Sequence, residues 1–288
     1  MCNGKNYRKM KSDQILFFSP YWGYENIPLK DFLPKIKDSE FDGIEINLVF
    51  RPLSEIQFLF EEAHRLNLKI VTQVAGLFEA NFQAYKKAYL ENLLFQVSLN
   101  PFLINCHTGS DFYRFEENLE LIQEVNLLSK NSGIKIIHEI HRGRFSYSPT
   151  ETSKYLEAVP ELRLVADFSH WCVVTESLLE NHSGALQAAI SRSDHIHSRI
   201  GHAQGPQVSD PRLPEWQNEL NAHLDWWDSI VQNHKNENSI LGITTEFGPP
   251  NYMPLLPEYG QAQEKQWAIN LYMKELLGKR YNEKSKIV

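Results

Sequence analysis

The stretch IKIIHEIHRG, residues 134–143, combines a continuously apolar first half with a polar second half. A continuous apolar run is typical of a parallel strand that is covered on both faces. Similar changes from apolar to polar residues occur in LRLVADFSHW (162–171), DHIHSRIG (194–201) and ILGITTEFG (240–248). These four segments predict buried strands of a parallel sheet, with polar side chains gathered at the carboxyl ends of the strands.

Strand-like runs of this kind alternate with segments of helical periodicity along the whole chain. The runs begin at Gln14, Phe41, Leu68, Pro101, Ile134, Leu162, Asp194 and Ile240. The helical segments cover residues 29–37, 53–67, 80–98, 116–132, 152–158, 176–191, 216–234 and 261–277. Eight βα units predict an α/β protein with a (β/α)8 TIM barrel as its single domain. We expect this domain to span residues 12–278, with 1–11 and 279–288 as flexible termini.

No glycine-rich phosphate loop of the dinucleotide or Walker type occurs in the sequence, which disfavours a doubly wound nucleotide-binding sheet. The net charge of −7 carries no long basic run, so a nucleic-acid partner is not expected. Cys2, Cys106 and Cys172 form no C-x-x-C pair, and we interpret them as reduced thiols. No apolar run is long enough for a signal peptide or a membrane span, so a cytoplasmic protein without a membrane partner is expected. The sequence leaves a homo-oligomer open.

Four polar residues at successive strand ends predict a metal site. In a barrel the carboxyl ends of neighbouring strands meet at one mouth, so Glu139, Asp167, His197 and Glu246 should converge there. Burying such groups costs free energy unless a cation or a partner satisfies them. Three carboxylates and one imidazole favour one divalent metal ion, Mn²⁺, Mg²⁺ or Co²⁺, and tolerate Zn²⁺. His195 is the alternative imidazole ligand, because residues two apart on a strand face the same way.

The motifs HEIHRG (138–143), DFSH (167–170), HIH (195–197) and TTEFG (244–248), in this order on successive strands, resemble the xylose isomerase-like TIM barrel superfamily. The resemblance is to its sugar phosphate isomerase/epimerase family and covers about residues 15–277. It implies that Glu139 and Glu246 are both metal ligands and the acid/base pair that moves a proton beside a carbonyl, through an enediolate. It also implies that Asp167 is a ligand only and that the second histidine of the pair, His197, is the imidazole ligand. His170 would be catalytic, because it would hydrogen-bond a substrate oxygen.

The same resemblance implies a small carbohydrate substrate and a substrate-binding arginine six residues after the histidine ligand. Position 203, however, is an alanine, so the substrate contacts must differ from those of the family. Arg142, Arg199, His202 and Gln207 are the candidates to replace that arginine. We expect Trp22, Glu45 and His107 to complete the mouth, with Trp22 stacking on a sugar ring and His107 binding a hydroxyl.

Three other functions compete with an isomerase or epimerase. The first is a metal-dependent lyase or hydrolase acting on oxidised sugars or inositols, which would use the same metal and bases. The second is an apurinic-site endonuclease, which would need more metal ligands and a D-x-H pair where this chain has Asp210-Pro-Arg212. The third is a sugar-binding barrel without catalytic activity.

Simpler structural roles are also expected for several of these residues. Glu139 and Glu246 could form ion pairs with an arginine such as Arg142. Isolated histidines on predicted helices are expected to be solvated, and Trp226 and Trp227 recur at a helical spacing that predicts packing against the barrel. The isolated histidines are His64, His182, His223 and His234.

Overall fold

Eight parallel strands form a closed barrel in the computed structural model, which describes residues 15–254 and 259–281. The strands are β1 Ile15–Pro20, β2 Gly43–Asn47, β3 Lys69–Val74, β4 Leu103–Cys106, β5 Ile136–Glu139, β6 Leu164–Ala166, β7 Ser193–His197 and β8 Leu241–Thr244. Each strand pairs with the next, and β8 closes the barrel on β1 with Ile15 opposite Leu241. The predicted TIM barrel is therefore confirmed.

Helices connect the strands and cover the outside of the barrel. They are α1 Leu29–Asp38, α2 Leu53–Arg65, α3 Phe82–Ser98, α4 Phe115–Ser132, α5 Pro149–Ala158, α6 Phe168–Thr175, α7 Ser183–Ser191, α8 Gln217–Glu237 and α9 Tyr259–Tyr281. Short 3₁₀ turns, Glu180–His182 and Pro214–Trp216, precede α7 and α8. Trp226 and Trp227 of α8 are buried in the main hydrophobic core, as their spacing predicts.

The sixth βα unit differs from its prediction. Strand β6 ends at Ala166, and the residues that follow form helix α6 instead of continuing the strand to Trp171. Asp167 begins the helix, because its side chain accepts a hydrogen bond from the Ser169 amide at 3.2 Å. His170 therefore lies in the first turn of a helix, above the barrel mouth, and not at the end of a strand.

The carboxyl-terminal boundary also differs from its prediction. Helix α9 continues to Tyr281, three residues beyond the predicted end of the domain at Gly278. Arg280 makes a bidentate ion pair with Asp228 of α8, and the Tyr281 hydroxyl donates to the same carboxylate at 2.9 Å. The remaining residues predicted as flexible, 1–11 and 282–288, lie outside the described part of the chain.

The barrel interior changes from apolar to polar along its axis. Near the amino ends of the strands it is filled by an apolar cluster of Leu16, Phe18, Val71, Leu103, Ile137 and Val165. The next inward-facing positions, towards the carboxyl ends, are buried polar residues: Glu45, Asn105, Glu139, His195, His197 and Thr244. Because residues two apart on a strand share a face, β4 and β5 each carry both layers, with Leu103 below Asn105 and Ile137 below Glu139. The apolar layer closes the barrel floor, and the polar layer opens towards the mouth.

Helix α9 fixes two loops at this mouth. The Gln266 side chain donates hydrogen bonds to the carbonyl oxygens of Trp22 at 2.9 Å and Phe247 at 3.0 Å. Asn270 accepts from the Phe247 amide at 2.9 Å. Both amide side chains are buried. The loops after β1 and β8, which carry Trp22 and Glu246, are therefore held to the same helix.

Cys106 and Cys172 are buried free thiols, as predicted, and Cys2 lies outside the described residues. Within the described ranges, no helix has the length and apolar character needed to cross a membrane.

Two helical histidines that were predicted to be solvated are buried. His223 packs against Trp226 at 4.6 Å between ring centroids, accepts from the Gly201 amide at 3.3 Å and lies 2.8 Å from the Glu219 carbonyl. His234 lies 2.9 Å from the Ser193 carbonyl. A neutral imidazole whose nitrogens are both satisfied can be buried at little cost, which a helical polarity pattern does not reveal. His64 of α2 is exposed, as predicted.

We expect His223 to make the fold sensitive to acid. Burial lowers the pKa of His223 to about 4, so the unfolded chain, with an imidazole pKa of about 6.5, binds the proton first. This contribution to stability is complete above pH 6.5 and is lost as the pH falls, by about 2 kcal/mol at pH 5. Urea unfolding between pH 7.5 and pH 5 should show a smaller loss for His223→Gln than for the wild type. The exposed control, His64→Gln, should follow the wild type, and equal losses in all three would contradict this role.

Candidate metal centre

The four predicted ligands meet at the carboxyl ends of the last four strands. Glu139 and His197 are the final residues of β5 and β7, Asp167 follows β6 directly, and Glu246 lies two residues after β8. One ligand atom from each residue lies within 4.8 Å of those of the other three, and all four residues are buried. Four separate βα units thus place their side chains around one point.

Two facing atoms of this cluster lack a well-oriented hydrogen bond. Nδ1 of His197 and Oε2 of Glu246 lie 2.6 Å apart, close enough for an ion pair, but neither atom has a hydrogen bond of acceptable geometry to any described residue. Two buried polar atoms held so close together without a hydrogen bond suit ligands of one cation. The donor set of three carboxylates and one imidazole fits a hard divalent ion. The residues present therefore fit the predicted metal.

Arg199 places a positive charge beside the four-residue cluster. Its guanidinium pairs with Asp167 and lies 3.6 Å from the Glu246 carboxylate. Burial raises the pKa of Asp167 to about 6, although Arg199 acts in the opposite direction. The predicted structural alternative was an ion pair between a glutamate and Arg142. Arg142 lies instead over the Tyr252 ring, 4.9 Å from its centroid.

His197 is held from below by Glu45. Its Nε2 lies 3.0 Å and 3.1 Å from the two Glu45 oxygens. Burial would lower the pKa of His197, but the surrounding carboxylates of Glu246, Glu45 and Glu139 raise it well above its ordinary value. Asn105 donates to both Glu45, at 2.9 Å, and Glu139, at 2.6 Å. Glu45 was predicted at the mouth, but it is buried underneath the ligands, where it orients His197.

His195 lies deeper in the barrel than His197. Its Nε2 is 2.8 Å from the Thr244 hydroxyl and 3.5 Å from Glu45. The imidazole fits against Gly242, where a Cβ atom would lie 2.3 Å from its Nδ1. It is not a member of the four-residue cluster. The geometry therefore favours His197 as the imidazole ligand.

A cavity of about 690 Å³, including space open to solvent, lies above the cluster. Glu139 and Glu246 form part of its floor, and the predicted substrate contacts Trp22, His107 and Arg199 line it. His170 is fully buried behind Arg199, with Nε2 2.8 Å from the guanidinium. Burial is the main reason why the pKa of His170 is well below its ordinary value.

Three predicted substrate contacts, His170, Gln207 and Arg142, are not among the described residues that line this cavity. The Gln207 side chain accepts from the Gly248 amide at 2.7 Å and donates to its carbonyl at 3.3 Å. Gln207 thus joins the loops after β7 and β8, which leaves its amide little capacity for a substrate. Arg142 reaches the site only through the ring of Tyr252.

Several lining residues were missed by the sequence analysis. Asn47 and Gln73 lie two positions after inward-facing residues of β2 and β3, so strand alternation could have identified them. Tyr252 stands perpendicular to Trp22, with ring centroids 4.9 Å apart, and Arg199 lies 4.8 Å from the Tyr252 centroid. No periodic signal marks Tyr252, because it lies in the irregular loop after β8.

The barrel has the fold of xylose isomerase-like TIM barrel proteins. No protein-family model matches the chain, and no curated protein matches it. Among solved structures, a probable 3-DHS dehydratase from Bacillus anthracis, involved in petrobactin synthesis, is 15% identical, with a TM-score of 0.59, 90% of this chain covered and 98% of the other. A D-allulose 3-epimerase from Methylomonas sp., in complex with D-allulose, is 13% identical (TM-score 0.59; 93% and 98% covered). A xylose isomerase-like protein from Mycobacterium smegmatis, in complex with magnesium, is 12% identical (TM-score 0.58; 91% and 97% covered).

These likenesses establish the fold, but sequence identities of 12–15% do not establish the chemistry of the site.

We expect Glu45→Gln to weaken binding of Mn²⁺ by about 10- to 100-fold, because partners that orient a ligating histidine contribute that much to metal affinity. The glutamine keeps the shape of the side chain but loses the charge that holds Nε2 of His197. Calorimetric titration of the metal-free protein with Mn²⁺ measures the effect. Glu61→Gln, an exposed change on α2, is the control and should bind like the wild type. Equal affinities for all three proteins would contradict the orienting role of Glu45.

Proposed function

We propose that the protein is a divalent-metal-dependent isomerase or epimerase that acts on a sugar or a sugar-like carbonyl compound by proton transfer beside the carbonyl group. The observation that supports this most strongly is the cluster of Glu139, Asp167, His197 and Glu246 at the floor of an open cavity. These four residues would hold one Mn²⁺, Mg²⁺ or Co²⁺ ion, with Zn²⁺ accepted. When bound, such an ion supplies Lewis acidity to the oxygens of the substrate.

Glu139 and Glu246 are the proposed acid and base. Both carboxylates line the cavity floor, from β5 and from the loop after β8. Burial would raise the pKa of Glu139, but His107 and His197 hold it well below its ordinary value, so this carboxyl is ionised. One carboxylate would remove the proton from the carbon beside the carbonyl, and the other would return a proton.

Arg199 is the proposed replacement for the arginine that the family resemblance places at position 203. It lines the cavity, and three partners fix its guanidinium: Asp167, the Ser169 hydroxyl at 3.1 Å and Nε2 of His170 at 2.8 Å. A guanidinium held in this way needs little rearrangement to bind a substrate oxygen as negative charge develops. His170 is buried behind Arg199 and accepts a hydrogen bond from it, so we propose that His170 positions the guanidinium instead of contacting the substrate.

Trp22 and Tyr252 form an aromatic wall beside these polar groups. Their perpendicular rings give the cavity an apolar face, and aromatic rings commonly pack against the C–H face of a sugar. His107 adds a polar group that can bind a hydroxyl. This combination supports a small polyhydroxylated substrate.

The comparisons support both an isomerase or epimerase and its first competitor, and the charge of the chain disfavours the second competitor. One of the similar barrels is a D-allulose 3-epimerase, and another was solved with magnesium. A third is a probable dehydratase, so a lyase remains the first competitor. An apurinic-site endonuclease is disfavoured because Asp210 is paired with Arg212 at 2.7 Å and because the chain carries a net charge of −7.

Incubation with ketoses, inosose-like rings and keto-glycosides in deuterated water with Mn²⁺ should incorporate deuterium at the carbon beside the carbonyl. We expect exchange with at least one of these classes, because the proposed bases equilibrate their protons with solvent. Glu139→Gln and Glu246→Gln should each lower the exchange rate by about 100-fold or more, since an amide cannot transfer the proton. Nuclear magnetic resonance of the recovered sugar measures the exchange.

The exposed variant Glu61→Gln is the matched control and should exchange like the wild type. Metal content is measured in parallel, and unchanged content in both Glu139→Gln and Glu246→Gln would remove these residues as ligands. Loss of a β-substituent from the substrate would indicate a lyase. Binding of a sugar with no exchange for any class would contradict proton-transfer chemistry and favour a binding protein.

A further inference from the structure

We propose that His107, His141 and Glu139 form a second divalent-metal site at the cavity mouth, next to the first and sharing Glu139, which takes a nitrogen-preferring ion such as Zn²⁺ or Co²⁺. One ligand atom from each of these residues lies within 4.8 Å of those of the other two. His107 and His141 are absent from the cluster of four described above. Both histidines come just after the end of a strand. His107 directly follows β4, and His141 comes two residues after Glu139, which is the last residue of β5.

The two imidazole rings lie against one another, and His107 contacts the shared carboxylate. The ring centroids of His107 and His141 are 4.4 Å apart. Nε2 of His107 lies 3.1 Å from Oε2 of Glu139. A small movement of side chains would bring two nitrogens and one oxygen to metal-ligand distances of about 2.0–2.2 Å.

The backbone sets the tautomer of His141 for metal binding. Its Nδ1 lies 2.5 Å from the backbone carbonyl oxygen of Arg142, and a carbonyl can only accept a hydrogen bond. Nδ1 therefore carries the proton, and Nε2 keeps the lone pair that a metal needs. Histidine ligands in proteins are commonly oriented in this way by a carbonyl or carboxylate on the opposite ring nitrogen.

The two sites differ in the metals that they should prefer. The first has three carboxylates and one imidazole, which suits Mg²⁺ or Mn²⁺. The second has two imidazoles and one carboxylate, and imidazole favours Zn²⁺, Co²⁺ and their neighbours. Three protein ligands with an open position is also the ligand count of catalytic zinc sites. A carboxylate can bridge two such ions, as it does in two-metal sites.

The second site is accessible from the cavity. His107, His141 and Glu139 all line it, whereas Asp167 and His197 are completely buried. Arg199 also lines the cavity, and its positively charged guanidinium should weaken the binding of a second cation. We therefore expect the second ion to bind after the first and with lower affinity.

Occupation of the second site has a consequence for catalysis, and this consequence rests on the proposed function. Glu139 is the proposed acid or base, and a carboxylate shared between two cations is a poor proton acceptor. Zn²⁺ beyond one equivalent should therefore inhibit the exchange reaction. The existence of the site does not depend on what the protein catalyses.

Titration of the metal-free, full-length protein with Co²⁺, followed by calorimetry and visible absorption, tests the second site directly. The wild type should bind two equivalents of Co²⁺. Binding of the second equivalent should produce the visible absorption expected for Co²⁺ with few ligands, most of them nitrogen. His141→Asn and His107→Asn should each lose the second equivalent and this spectrum while they retain the first. His64→Asn, an exposed change on α2, should retain both equivalents. Circular dichroism establishes that each variant is folded, and the use of two variants protects the test if one is not.

The outcomes separate this proposal from the first metal site. One equivalent in the wild type, unchanged in His141→Asn and His107→Asn, would overturn the second site and leave the first intact. Two equivalents that survive in both variants would place the second ion elsewhere and would also overturn it. No bound Co²⁺ in the wild type would overturn both sites and, with them, the proposed metal dependence.

Discussion

The cost of burying three carboxylates side by side is the constraint on which the rest of the barrel mouth depends. Glu139, Asp167 and Glu246 lie together at the base of the cavity, almost completely buried, where like charges repel strongly and water screens them little. Neighbouring positive charge, or protonation of a carboxyl group, must offset this repulsion. His197 and Arg199 supply part of that positive charge, and the proposed metal ion would supply more.

The surrounding residues act by fixing the groups that carry this charge. Glu45 and Asn105 hold His197 and Glu139 from below, and Thr244 donates to Glu45 from the last strand of the barrel. Arg199 is fixed above them by partners on α6. The network therefore joins the barrel interior to the loops, and a change in any member should affect the position of the others. This coupling explains why a residue without access to substrate, such as Glu45, is expected to influence metal binding.

The barrel and the four converging residues could be predicted from sequence, because apolar runs of parallel strands and polar strand ends are strong local signals. Residues below the site were harder to identify. Glu45 and Asn105 lie at alternating strand positions, as inward-facing side chains do. Their depth in the barrel, however, depends on the register between neighbouring strands, and a single sequence does not reveal that register. The helix that begins after Asp167 was predicted as the end of a strand, because DFSHW follows the apolar run LRLVA directly and no glycine or proline marks the boundary. The contact of Gln207 with Gly248 could not be predicted, because the two residues are 41 positions apart in the chain.

Anomalous diffraction from crystals grown with Mn²⁺ tests directly whether the four converging residues form a metal centre. A metal centre predicts one strong peak at the manganese absorption edge among the carboxylates of Glu139, Asp167 and Glu246 and Nδ1 of His197, at distances of about 2.0–2.3 Å. The absence of an anomalous peak, with Arg199 and His197 alone balancing the three carboxylates, would contradict a metal centre. The buried charges would then be a structural ion-pair network.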